Sequence, residues 1–109
     1  MKKTVLIATE HKLKIDTLDD VINVIGQTYG MDGLLLTETD LDPSFFDLSS
    51  GLAGELFQKC TNYRLQLAIV IQDLSLYSPR VAELAFEHKN HRLIRFFDTV
   101  KGAKNWLQT

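Results

Sequence analysis

An α/β fold with a mostly parallel or mixed five-stranded sheet packed by four helices, in the order β-β-α-β-α-β-α-β-α, is what this sequence predicts. Three observations predict it. Apolar runs of strand length recur, the two strongest at residues 33–37 (G-L-L-L-T) and 65–71 (L-Q-L-A-I-V-I). Around them lie segments whose apolar residues return at helical spacing. Caps, prolines and glycines punctuate the boundaries. Strands alternating with helices in this way imply parallel pairing through right-handed crossovers.

The elements follow in order. Residues 4–8 (T-V-L-I-A) are apolar and partly β-branched, as a short strand should be. Residues 11–15 alternate Lys12, Leu13, Lys14 and Ile15, a half-exposed strand paired with the first in an edge hairpin. Thr17 with Asp20 three residues on is a variant of the capping box. Leu18, Val21, Ile22 and Ile25 then mark one helical face. Tyr29 and Gly30 end that helix, glycine suiting a left-handed cap. The unbroken run at 33–37 suits a strand covered on both faces.

A polar loop follows at 38–42. Asp42-Pro43 pairs an N-cap with a proline at the first helical position, opening a short turn over 44–48. Ser49-Ser50-Gly51 interrupts before a longer helix to about Cys60, with Leu52, Leu56 and Cys60 on one face and Phe57 beside them. The run at 65–71 is the most apolar and is read as the central strand, with Asp73 at its end. Ser78-Pro79 repeats the cap-and-proline device for a helix with Val81, Leu84 and Ala85 inward, closed by Lys89-Asn90. Residues 92–97 form the last strand. Asp98 is read as the cap of a final helix turning Val100, Ala103, Trp106 and Leu107 inward.

Bulk properties bound the function. The 109 residues suit one domain over 1–109, and 45% apolar residues suffice for a core. A formal net charge of -2 gives no long-range field for nucleic acid, so no nucleic-acid partner is expected. The single cysteine, Cys60, excludes an intrachain disulfide and points to a reducing compartment, with the thiol buried on its helix. The apolar run after Lys3 is too short for a signal peptide, and nothing approaches the ~20 apolar residues that span a bilayer. A cytoplasmic protein without membrane insertion, monomeric or homodimeric, is expected. No dinucleotide fingerprint, P-loop or G-x-S-x-G occurs, so no cofactor is expected and a non-catalytic role is favoured over an enzyme.

Ligands of parallel sheets meet the carboxyl ends of the strands. That rule gathers residues 38–50, 72–78 and Asp98-Thr99 on one edge. The adjacent Phe45 and Phe46 allow one ring to be buried and one to anchor a partner. Phe45, Phe46, Asp47, Ser49 and Ser50 are the candidate partner-binding residues, with an N-cap role as the plainer reading for a serine. Ser49 or Ser50 is also a candidate phosphorylation site at a helix start. Glu38, Asp40 and Asp73 are candidate ligands for Mg²⁺, which takes oxygen donors, although capping and solvation explain such carboxylates better, since no recognised ligand spacing is present. The alternatives to a protein-binding module are therefore a divalent-cation-dependent enzyme on this acidic edge and a pocket for a small apolar ligand under Phe45 and Phe46. His88, Lys89, His91, Arg92 and Arg95 form a basic cluster on the opposite edge. It is read as a solvated rim rather than a phosphate or nucleic-acid site, because no aromatics interleave it. Tyr63 is read as covering the core edge, and Arg64 as pairing with an acidic neighbour.

The string F-F-D-L-x-x-G-L-A-G-E-x-x-Q-K-x-x-N-Y-R-x-x-L-A-I-V, from Phe45 to Val70, resembles a bacterial family of domains of unknown function numbered 4180. The likeness is strong over residues 43–71 and follows element order elsewhere; it carries no activity with it. The element order also resembles the STAS fold of anti-sigma-factor antagonists. Asp47-Leu48-Ser49-Ser50-Gly51-Leu52 is similar to the D-S-S-G-L string that bears the phosphorylated serine in switch proteins of that fold. Aligned on Gly51, the acceptor maps to Ser49, with Leu48 standing between Asp47 and the serines. This resemblance implies a STAS-like regulatory module acting through residues 38–51.

Overall fold

Apolar residues of alternate parity along each strand face opposite ways, and both faces need cover. The computed structural model describes residues 2–109. Among them are four strands, β1 (Val5–Ile7), β2 (Gly33–Thr37), β3 (Gln66–Val70) and β4 (Ile94–Phe97), and four α-helices, α1 (Leu18–Gln27), α2 (Leu52–Asn62), α3 (Pro79–Glu87) and α4 (Val100–Leu107). The strands lie in chain order, β1-β2-β3-β4, and every pairing is parallel.

Register aligns Leu6 with Leu34, Leu34 with Leu67, and Leu67 with Ile94. This row, with Leu36 and Ile69, packs against Val21 and Val24 of α1, Leu56 and Cys60 of α2, and Val81 of α3. Same-handed crossovers between successive neighbours put all three connecting helices on one face. The other face carries Leu35, Ala68 and Val70, covered by Ala103 and Leu107 of α4. Gly33 permits that close approach. A Cβ there would stand 2.9 Å from the Leu107 Cδ2 atom and 3.3 Å from the Gln66 carbonyl oxygen.

Four strands replace the five expected, because residues 11–15 do not form a hairpin with β1. Instead residues Ala8–His11 make a 3₁₀ turn, and Lys12 adopts the left-handed conformation at φ 54°. The backbone of Ile15 is then satisfied elsewhere. Its N–H donates to the Asp40 carbonyl at 2.8 Å, and its carbonyl accepts from Asp42 N–H at 3.0 Å. The result is a single parallel bridge between Ile15 and Leu41. Leu13 and Ile15 turn toward the core while Lys12 and Lys14 face out, so the alternation is real but has no strand partner.

The capping box of α1 forms as expected. Thr17 Oγ1 accepts from Asp20 N–H at 3.2 Å, and the Asp20 carboxylate accepts from Thr17 N–H at 3.1 Å. Its buried face is Val21 and Val24, whereas Leu18 and Ile22 stand exposed. The cap of α4 is Thr99 and not Asp98: Thr99 has extended backbone and its Oγ1 accepts from Gly102 N–H at 3.0 Å. On α4, Ala103 and Leu107 are buried and Trp106 leans on Phe97, while Val100 is exposed. Among the described residues no helix is long and apolar enough to cross a membrane.

Candidate functional site

The carboxyl ends of β1, β2 and β3 run into short 3₁₀ turns rather than straight into helices. Three follow β2 in succession, Glu38–Asp40, Pro43–Phe46 and Leu48–Ser50, and one follows β3, Leu74–Leu76. A repeated local device builds them. Asp42, Asp47 and Asp73 each accept the backbone N–H two residues on, from Ser44 at 2.9 Å, Ser49 at 3.1 Å and Ser75 at 3.0 Å. At Asp47 and Asp73 the serine hydroxyl also donates, at 2.6 Å in each case. Those hydroxyl bonds, then the backbone ones, hold both carboxyls below the usual carboxylate range. Gly51 closes the third turn at φ 84°, a left-handed position that glycine occupies without strain, and α2 begins at once.

Three threonines and two carboxylates knit the edge together. Asp40 is buried at 3% exposure. Its carboxylate accepts from Thr9 Oγ1 at 2.9 and 3.0 Å, from Thr37 N–H at 2.8 Å and from Thr37 Oγ1 at 3.0 Å. The Thr37 and Thr39 hydroxyls lie 2.9 Å apart. Glu38 accepts the Gln72 N–H at 2.7 Å and the Tyr77 hydroxyl. Burial, and then the hydrogen bond and charge of Glu38, push the Tyr77 phenol up to about 12. The Tyr77 ring stacks on Phe46 with centroids 4.3 Å apart, and Phe46 meets Phe45 edge-on at 5.6 Å. Phe45, Phe46, Tyr77 and Glu38 thus tie the loop after β2 to the loop after β3.

Of the expected partner-binding residues, Phe45 is core at 2% exposure and Phe46 is half-buried. Phe46, Asp47 and Ser49 line a groove of about 630 Å³, walled on the far side by Ser78 and Arg80 at the start of α3. Pro43 and Leu48 complete its apolar part. Ser50 does not line it: its hydroxyl donates to the Ser44 carbonyl at 2.7 Å and accepts the Leu52 N–H at 3.3 Å.

Glu38, Asp40 and Asp73, expected as metal ligands, each serve separate hydrogen bonds. Among the described residues no group of three or more His, Cys, Asp or Glu side chains is placed to hold a metal ion. Cys60 is buried, and desolvation pushes its thiol up to about 12, so it is protonated and poorly nucleophilic. Sequence reasoning passed over Tyr77 and Arg80. Tyr77 already lay in the loop assigned to this edge, and Arg80 follows the cap-and-proline pair, so their positions were available without their partners.

One family model, described as a domain of unknown function (DUF4180), matches the chain over residues 1–107. No curated protein and no solved structure matches it.

Proposed function

We propose, from the premise that the chain belongs to the domain-of-unknown-function family DUF4180, that it is a non-catalytic, regulatory protein-binding module docking a short segment of a partner protein. The groove between residues 43–49 and the start of α3 carries this reading. Its floor is apolar, from Pro43, Phe46 and Leu48, and its rims bear opposite charge at Asp47 and Arg80. Arg80 is exposed, and the one ion pair of the described residues joins Lys59 to Glu55 elsewhere. A segment with an apolar anchor and flanking charges of both signs complements such a site.

The exposed Ser49 supplies a means of control. Its hydroxyl donates to Asp47. Phosphorylation would remove that donor and set about two further negative charges beside a carboxylate. Repulsion would then reshape the rim against which a partner packs. The position of Ser49 just before α2, similar to the phosphorylated serine of STAS switch proteins, supports the same reading.

The test is capture of partners from native cells on immobilised wild-type protein, on Phe46→Ala, on Ser49→Asp and on Lys104→Ala, an exposed control on α4. Circular dichroism checks that each is folded. A partner held by wild type and the control should be lost from the other two. Truncating a central aromatic anchor costs about 2 kcal/mol, some thirtyfold in affinity. Equal retention on all four proteins would sink the assignment.

A further inference from the structure

The amino ends of the strands form a second groove, and it is basic. Lys3 precedes β1, Arg64 precedes β3, Arg92 precedes β4 and Arg95 lies within β4. All four line one cavity of about 480 Å³ in which Asp32 is the single carboxylate. A second cavity of about 560 Å³ shares Arg64 and Arg92 and adds His91. Asp32 is already engaged, accepting the Thr4 N–H at 2.8 Å. None of these cations is in an ion pair among the described residues. A chain whose formal net charge is -2 has therefore brought unneutralised cations together from three separate segments.

Two of the lining side chains, Arg95 and His91, are held in place, and a third residue, Arg64, has an uncommon backbone. Arg64 sits at φ 54°, the left-handed region where glycine is favoured and an arginine is strained. Arg95 is anchored on one side only: its Nε donates to the His91 carbonyl at 2.6 Å, and its guanidinium lies 5.1 Å from the Trp106 ring centre. The His91 Nδ1 accepts the N–H groups of Leu93 and Ile94, both at 3.0 Å. In the neutral ring the proton is then on Nε2, which becomes a donor. Burial, followed by the charges of His88 and Arg95, lowers the His91 pKa and favours that neutral ring.

We propose that this amino-end groove binds the phosphate of a small phosphorylated molecule, a phosphomonoester or a pyrophosphate, through Arg64, Arg92 and Arg95, with Lys3 and the His91 Nε2–H as further donors. Arginine forks match phosphate oxygens in pairs, and several unpaired cations fit a multiply charged anion better than a lone carboxylate. Cavities of this volume suit a small molecule. A single-stranded nucleic acid would need open aromatic faces for its bases, and neither cavity is lined by an aromatic ring other than His91.

Calorimetry with pyrophosphate, beside NMR of the His91 ring, tests the site. Wild type should bind and shift the His91 resonances. Arg64→Gly removes one cation while relieving the left-handed backbone, so it should unfold no earlier than wild type yet bind at least about tenfold more weakly. Arg92→Gln should weaken binding similarly. Phe46→Ala, on the opposite edge, should bind pyrophosphate as wild type does, which separates this site from the docking groove. No binding at millimolar pyrophosphate would overturn the proposal, as would undiminished binding in both arginine variants. Tighter binding of a single-stranded oligonucleotide, or of phosphatidylglycerol vesicles, than of pyrophosphate would overturn it in favour of those ligands.

Discussion

Asp40 joins the ends of two strands through one carboxylate. It takes Thr9 from the end of β1, and Thr37 N–H and Oγ1 from the end of β2. Thr9 is exposed and Thr37 half-buried, but the carboxylate that accepts from both is buried. Removing that charged acceptor loses hydrogen bonds worth about 1.5–3 kcal/mol. Asp40→Ala should therefore lower unfolding free energy by about 2–3 kcal/mol in urea, and Asp40→Asn, which keeps one acceptor oxygen, by less. A loss below about 0.5 kcal/mol for Asp40→Ala would show that the cluster is solvated and not structural. The sequence suggested Asp40 as a metal ligand because its identity and loop position are visible locally. Its burial is not, since that comes from the distant Ile15, whose N–H holds the Asp40 carbonyl and draws the turn inward.

At the scale of elements, local signals were the readable ones. The capping box at Thr17, the prolines at Pro43 and Pro79, and the apolar runs of β2 and β3 all depend on residues within one turn or one strand. The hairpin failed because alternation reports which side chains face inward and says nothing of which strand lies alongside. The groove at Phe46 was half legible: its near wall is one continuous segment, but its far wall, Arg80, arrives through a crossover. Packing of α4 was equally hidden, since Gly33 shows its purpose only once Leu107 lies over it. Gly33→Ala should destabilise the protein by about 1–3 kcal/mol through overpacking. In a Leu107→Ala background the same change should cost less, because the nearer of the two obstructing atoms is gone. A double-mutant cycle reads the coupling directly, and strict additivity would contradict the packing described.

For the whole molecule, charge sets a pH window. The Asp20, Asp47 and Asp73 carboxyls lie below their ordinary value of 3.8, Asp20 chiefly through the Asp16 N–H and the other two through serine hydroxyls. Their contribution is present above that pH and is lost as acid protonates them. The Tyr77 phenol, up from 10.0 to about 12, and the Cys60 thiol, up from 9.0 to about 12, have the opposite sense. Their contribution is whole below the ordinary values and fades as pH climbs toward 12. Thermal midpoints should thus be level between about pH 7 and pH 9 and fall on both sides, the acid fall beginning with His91, whose lowered pKa gives a contribution present above its ordinary 6.5 and lost as pH drops below it. Tyr77→Phe should flatten the alkaline fall between pH 10 and 12, and identical alkaline limbs would remove Tyr77 from the account. The strand order has a further consequence, in time rather than in space. Because β1, β2, β3 and β4 are neighbours in the order in which they are synthesised, each β–α unit can settle beside the one already made as it leaves the ribosome. The face formed by Leu35, Ala68 and Val70 has no such early cover. It stays open until α4, made after all four strands, folds back across it, so the sheet can assemble on the nascent chain while that side is still bare.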